Sequence, residues 1–116
     1  MQIIEHRVNT LDKLSAVSNE HGAEIDVRYH ENELVLHHDP FNHHQTKPLL
    51  LRTFLEHYSL TGPLILNIKT EGIEEQCIEL MQSYQVKNWF FLDLSMPYFV
   101  KYARLVGPVP GFGSSN

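Results

Sequence analysis

Glu24 and Asp26 stand two residues apart in the run Gly22-Ala23-Glu24-Ile25-Asp26-Val27. On a strand that spacing puts both carboxylates on one face and leaves Ala23, Ile25, Val27 and Tyr29 on the other. Further along, Leu34-Val35-Leu36 runs into His37-His38-Asp39, His6-Arg7 follows Ile3-Ile4, and Lys69 ends Leu64-Ile65-Leu66-Asn67-Ile68. Polar groups that close apolar runs in this way make a metal site or an acid–base site. Paired carboxylates with room for waters suit a hard divalent cation, Mg²⁺ or Ca²⁺, and a cation together with Arg7 and Lys69 would hold an anionic phosphoryl group. Cleaving a phosphodiester needs one proton removed and one delivered. Imidazole titrates near neutral pH, so His6 and His38 can supply both functions.

The elements that must position these groups are short. Strand-like runs fall at about 2–6, 22–29, 33–38, 64–69 and 89–94, with helical periodicity between most of them. Asn9 and Thr10 are good caps for a helix through Leu11, Leu14 and Val17. Leu51, Phe54, Leu55 and Tyr58 follow the i, i+3, i+4, i+7 pattern, and Ile73, Cys77, Leu80, Met81 and Tyr84 repeat it with Glu74, Glu75 and Glu79 outside. Ser95 and Pro97 open a last helix through Val100, Ala103 and Arg104. Residues 107–116, rich in Gly, Pro and Ser, form a tail after a single domain over 1–106. Alternating strands and helices argue for a mainly parallel sheet. Glu24, Asp26 and Arg28 share one strand face, as do Ile65, Asn67 and Lys69, with apolar residues opposite. Strands with one polar face predict an α/β architecture of the partial (β/α) TIM-type barrel kind, with about five parallel strands and the polar groups at their C-terminal mouth.

With 116 residues, a net charge of −5 and nine scattered Lys and Arg, the chain offers no basic stripe for a nucleic-acid partner. Cys77 is the only cysteine, so no intramolecular disulfide forms, and a reducing cytoplasm fits. No apolar run reaches transmembrane length and no leader precedes the first strand, which predicts a protein that is not exported. His37, His38, His43 and His44 match no common zinc spacing. Asp39 reads either as support for His38 or as a turn former before Pro40, and Arg28 as a partner for Glu24 or Asp26. Asp93 lines the mouth or caps the next helix.

Taken in order, these segments resemble the glycerophosphodiester phosphodiesterases, within the phosphatidylinositol-phospholipase-like phosphodiesterase barrels. His6-Arg7 resembles the family's first-strand His-Arg, Asn9-Thr10 the end of its Glu-Asn-Thr, residues 22–27 its metal segment, residues 34–40 its His-Asp segment, and Leu66-Asn67-Ile68-Lys69 its fourth-strand element. The resemblance spans roughly residues 3–100 and implies the first half or so of an eight-stranded barrel. It implies Glu24 and Asp26 as metal ligands, His6 and His38 as the acid–base pair, Arg7 and Lys69 at the phosphate, and a small phosphodiester as substrate. Val8 stands where the family has glycine, and the Glu of Glu-Asn-Thr has no counterpart. Asn67 stands where the family has a third acidic ligand, and its amide oxygen can coordinate a cation but brings no charge, which implies weaker metal affinity or altered chemistry. Exposed edges of a partial barrel would favour self-association. The rival expectation is a non-catalytic half barrel that binds a phosphorylated ligand or a partner chain.

Overall fold

The computed structural model describes residues 2–39, 47–92 and the backbone of 104–105. Its centre is β2 (Gly22–His30), the longest strand, which is buried from Gly22 through Val27. On one edge β2 pairs in parallel with β5 (Leu64–Ile68), and β5 pairs in parallel with β6 (Trp89–Phe91). The other edge of β2 is shared. Its start pairs in parallel with β1 (Ile4–Glu5), and its end pairs antiparallel with β3 (Glu33–Leu36). Two short strands extend the sheet, β4 (Leu49–Leu50) against β3 and β7 (Arg104–Leu105) against β6, both antiparallel.

The described sheet is therefore mixed and seven-stranded, with three parallel and three antiparallel pairings, which overturns the expected parallel partial barrel. The decisive segment is Glu31-Asn32. Both residues have positive φ, 50° and 67°, so the chain reverses in a two-residue turn. That length joins only antiparallel neighbours, because a parallel return needs a crossover of roughly a dozen residues or more. Arg104 lies in β7 and not in a helix. The rest of the expected last helix, Asp93, His43, His44 and the tail at 107–116 lie outside the described residues.

Among the described residues, three helices cover one face: α1 (Leu11–Ser15), α2 (Leu51–Glu56) and α3 (Glu74–Ser83). Leu14, Leu51, Phe54, Leu55, Cys77 and Met81 from these helices pack on Ala23, Ile25, Val27, Leu64 and Leu66, while Glu74, Glu75 and Glu79 face solvent. Thr10 caps α1 by accepting the Lys13 N–H at 3.1 Å. Gly22 fits where a side chain would not. A Cβ there would meet Pro63 O at 2.5 Å and Ile4 Cδ1 at 2.6 Å, and the same Pro63 carbonyl accepts the Ala23 N–H. Among the described residues, no helix is long and apolar enough to cross a membrane.

Burial, with the nearby Glu74 adding to it, pushes the Cys77 thiol up to about 12. At pH 8 the thiolate fraction is then on the order of 10⁻⁴, and the thiolate is the reactive form. Native protein should resist a disulfide-exchange reagent at pH 8 and react fully in guanidinium. Labelling of the folded chain at the rate of a free thiol would contradict the placement of Cys77 in the core.

Candidate functional site

Parallel register fixes which side chains share the face opposite the helices. Glu24 aligns with Ile65 and Asp26 with Asn67, so Glu24, Asp26 and Asn67 project together, with Ile65 beneath them. Glu24 is 7% exposed and Asp26 1%, the two buried charged residues among those described. Burying carboxylates is costly unless their oxygens are satisfied. Glu24 is: Oε1 faces His6 Nδ1 at 3.0 Å and accepts the Arg7 N–H at 3.4 Å, and Oε2 accepts from Asn67 Nδ2 at 3.4 Å. Asp26 is held by Asn9, whose Nδ2 donates to Oδ2 at 2.9 Å while its Oδ1 accepts the Asp26 N–H at 2.9 Å.

Asn9 also explains how β2 keeps its shared edge intact. Between the end of β1 and the start of β3 the strand has no backbone partner for the Asp26 N–H, and the Asn9 carboxamide takes that place. The Val8 N–H donates to Glu24 O, and the His37 N–H to Asp26 O, on either side of it. Arg7 makes the turn that brings Asn9 there. Its φ of 54° is left-handed, at a cost of roughly 1–3 kcal/mol for a non-glycine residue. Val8, found where the resemblance expects glycine, is an apolar anchor only 2% exposed. Asn9→Ala should remove both bonds and leave the Asp26 amide unsatisfied, a loss of about 2–4 kcal/mol for two groups. Chemical denaturation would measure it, and an unchanged midpoint would show that water replaces the carboxamide freely.

His38 and Arg7 come together beside this group. Both line a cavity of about 650 Å³ that also includes Asn9, Thr10 and Lys13. His38 Nδ1 faces Asp39 Oδ1 at 3.0 Å. That hydrogen bond holds the Asp39 carboxyl below its ordinary value, with the nearby charges of His38, His37 and Arg7 adding to it. A ring nitrogen facing a carboxylate carries the proton, so both His6 and His38 direct Nδ1–H towards an acid. In His38 this leaves Nε2 for chemistry. Its side chain is 34% exposed and that of His6 58%, so both can reach a solute.

Arg28 does not pair with either carboxylate. Its Nε donates to His37 O at 3.1 Å and its Nη2 to His38 O at 2.7 Å, which fastens the segment that carries His38. Lys69 follows β5, anchored through its N–H to Val27 O at 2.8 Å, and no hydrogen bond ties its ammonium to Glu24 or Asp26. The structure thus joins His6, Glu24 and Asn67 in one hydrogen-bonded group beside Asp26. It gathers Arg7 and His38 at an adjacent cavity that Lys69 does not line.

Comparison with protein-family models, with curated proteins and with solved structures finds no match to this chain.

The donor set can be weighed against a hard cation on its chemistry alone. Among the described residues no three His, Cys, Asp or Glu side chains form a ligand cluster. A third oxygen would have to come from Asn67, whose amide presents Oδ1 after a half-turn about its last torsion. Asp26 Oδ1, on a side chain almost wholly buried, receives no hydrogen bond from the described residues. An anionic oxygen left in that state fits a cation, and two carboxylates with an amide oxygen are the ligand types that Mg²⁺ and Ca²⁺ take.

Proposed function

We propose that the chain cleaves a glycerophosphodiester or a related small phosphodiester, using His6 and His38 as an acid–base pair and Glu24, Asp26 and Asn67 to hold Mg²⁺ or Ca²⁺. The single observation that carries this reading is the shared face. Two buried carboxylates and an amide stand together there, with one imidazole bonded to Glu24 and a second, His38, lining the cavity that Arg7 also lines. The resemblance to glycerophosphodiester phosphodiesterases in residues 3–100 points the same way. A bound divalent ion would supply Lewis-acid stabilisation of charge on the phosphoryl oxygens.

The residues' own parts follow from their chemistry. One imidazole takes a proton from the attacking hydroxyl, of water or of a neighbouring group on the substrate, as its oxygen bonds to phosphorus. The other gives a proton to the departing alkoxide as the second P–O bond breaks. Glu24 behind His6 and Asp39 behind His38 orient each ring through its Nδ1, and the proton that His38 transfers moves on its Nε2. Arg7 and Lys69 carry the fixed positive charge that the non-bridging oxygens need. The buried reduced thiol of Cys77 suits a cytoplasmic setting.

The test is release of glycerol phosphate from glycerophosphodiesters by purified chain with and without Mg²⁺ or Ca²⁺, alongside Asn67→Glu. Turnover should require the cation. Asn67→Glu sets a third carboxylate beside Glu24 Oε2, and the cation should bind at least tenfold tighter because it relieves the added repulsion. Cation binding with no turnover of any diester would leave the non-catalytic binding domain as the better account. Unchanged cation affinity in Asn67→Glu would remove Asn67 from the ligand set.

A further inference from the structure

The cavity beside His38 carries more positive charge than the proposed reaction uses. Arg7, Lys13 and Lys47 line it, three of the nine Lys and Arg in a chain whose net charge is −5. Among the described residues, Asp39 is the one carboxylate in its wall, and it already faces His38. Lys13 Nζ donates to Arg7 O at 3.4 Å, which brings an α1 ammonium to the backbone of a residue that lines the same space. Leu36 and Leu49 supply an apolar wall, and Asn9 and Thr10 add polar groups at the start of α1. Excess cations in a concave, partly apolar site raise the local concentration of anions, most strongly where the protein is otherwise acidic.

Arg7 connects this cavity to the carboxylate cluster, since its N–H bonds Glu24 and the residue also lines the cavity. A diester whose phosphorus lies between His6 and His38 would therefore extend one of its alcohols towards Lys13 and Lys47. We propose that this pocket takes a second phosphate-class anion carried on that alcohol, so that Lys13 and Lys47 select substrates with a negative head group and disfavour cationic ones. As a statement about substrate the proposal rests on the phosphodiesterase reading. As a statement about anion binding it stands apart from it.

Both parts can be measured on the full chain. Inorganic phosphate and glycerol 3-phosphate, titrated at low ionic strength, should bind, and Lys13→Gln/Lys47→Gln should weaken binding at least tenfold with the fold and the cation response unchanged. Turnover of bis(glycerophospho)glycerol, which carries a second phosphate, should exceed that of glycerophosphoglycerol, whose head group is neutral, and of glycerophosphocholine, whose head group is cationic. The double variant should level those rates by lowering the first. Anion binding lost in the double variant, with no turnover of any diester, would uphold the pocket and overturn the reaction. Anion binding equal in wild type and double variant would overturn the pocket whatever the turnover, and a preference for glycerophosphocholine would overturn the selectivity.

Discussion

Saturating Mg²⁺ or Ca²⁺ should raise the thermal midpoint of the wild-type chain by about 10–20 °C, and Glu24→Gln/Asp26→Asn should abolish the rise. A ligand present at 100 times its Kd stabilises the folded state by about 2.7 kcal/mol, and a domain of roughly this size gains about 4–8 °C per kcal/mol. The physical source is the pair of buried carboxylates. Their like charges sit on one strand face about two strand positions apart, and Asp26 Oδ1 receives no hydrogen bond from the described residues. The neutral isosteres keep most of the bonding pattern, since a carboxamide at position 24 can still accept from His6 and the Arg7 N–H, and one at position 26 from Asn9. They also remove the repulsion and much of the desolvation cost. Without cation the double variant should therefore be at least as stable as wild type, a sign that a merely structural pair of carboxylates would not give. Scanning calorimetry of both proteins, with chelator and with each cation, reads the two effects separately. An equal cation-induced shift in the variant would place the ion elsewhere.

The chemistry-bearing residues are more legible in the sequence than the sheet that carries them. Period-two alternation assigns Glu24 and Asp26 to one face of β2 and Asn67 to one face of β5, and the register Asp26 to Asn67 brings the two sets together. The helical spacing of Leu51, Phe54 and Leu55, and of Cys77 and Met81, marks the buried sides of α2 and α3. The direction of β3 escapes the same reasoning because apolar runs look alike whichever way they point. Its signal lies in the connection, where two residues between Tyr29-His30 and Glu33-Leu34 are too few for a crossover, and Asn32 is a residue type that accepts a left-handed conformation. Arg28 misleads because opposite charge on one strand face suggests a partner. Its long side chain instead crosses to the neighbouring segment and bonds two carbonyls. Asn9 is visible as a helix cap, but its double bond to Asp26 is long-range and no local pattern encodes it.

His38→Ala should lower kcat/KM for a glycerophosphodiester by about 10²–10⁴-fold, the usual contribution of one general acid or base, while the cation-induced stabilisation stays as in wild type. The separation is expected because the His38 imidazole bonds neither Glu24 nor Asp26, and the carbonyl through which residue 38 receives Arg28 belongs to the backbone. Asp39 gives the same site a pH signature. Its carboxyl is held below the ordinary value, chiefly by the hydrogen bond from His38. A depressed folded-state pKa means that the contribution of the His38–Asp39 link is fully present above the unfolded carboxylate range and is lost as pH falls through the lower, folded value. Between about pH 5 and 8, above the ordinary carboxylate range, Asp39 thus stays ionised and His38 Nδ1 stays committed to it, so a change in rate across that window does not come from Asp39. Asp39→Asn keeps an acceptor oxygen but removes the charge, and it should lower the rate less than His38→Ala. Activity retained within a few-fold in His38→Ala would end its assignment to proton transfer. A rate loss in Asp39→Asn as large as that in His38→Ala would show that Asp39 sets more of the ring's chemistry than its orientation.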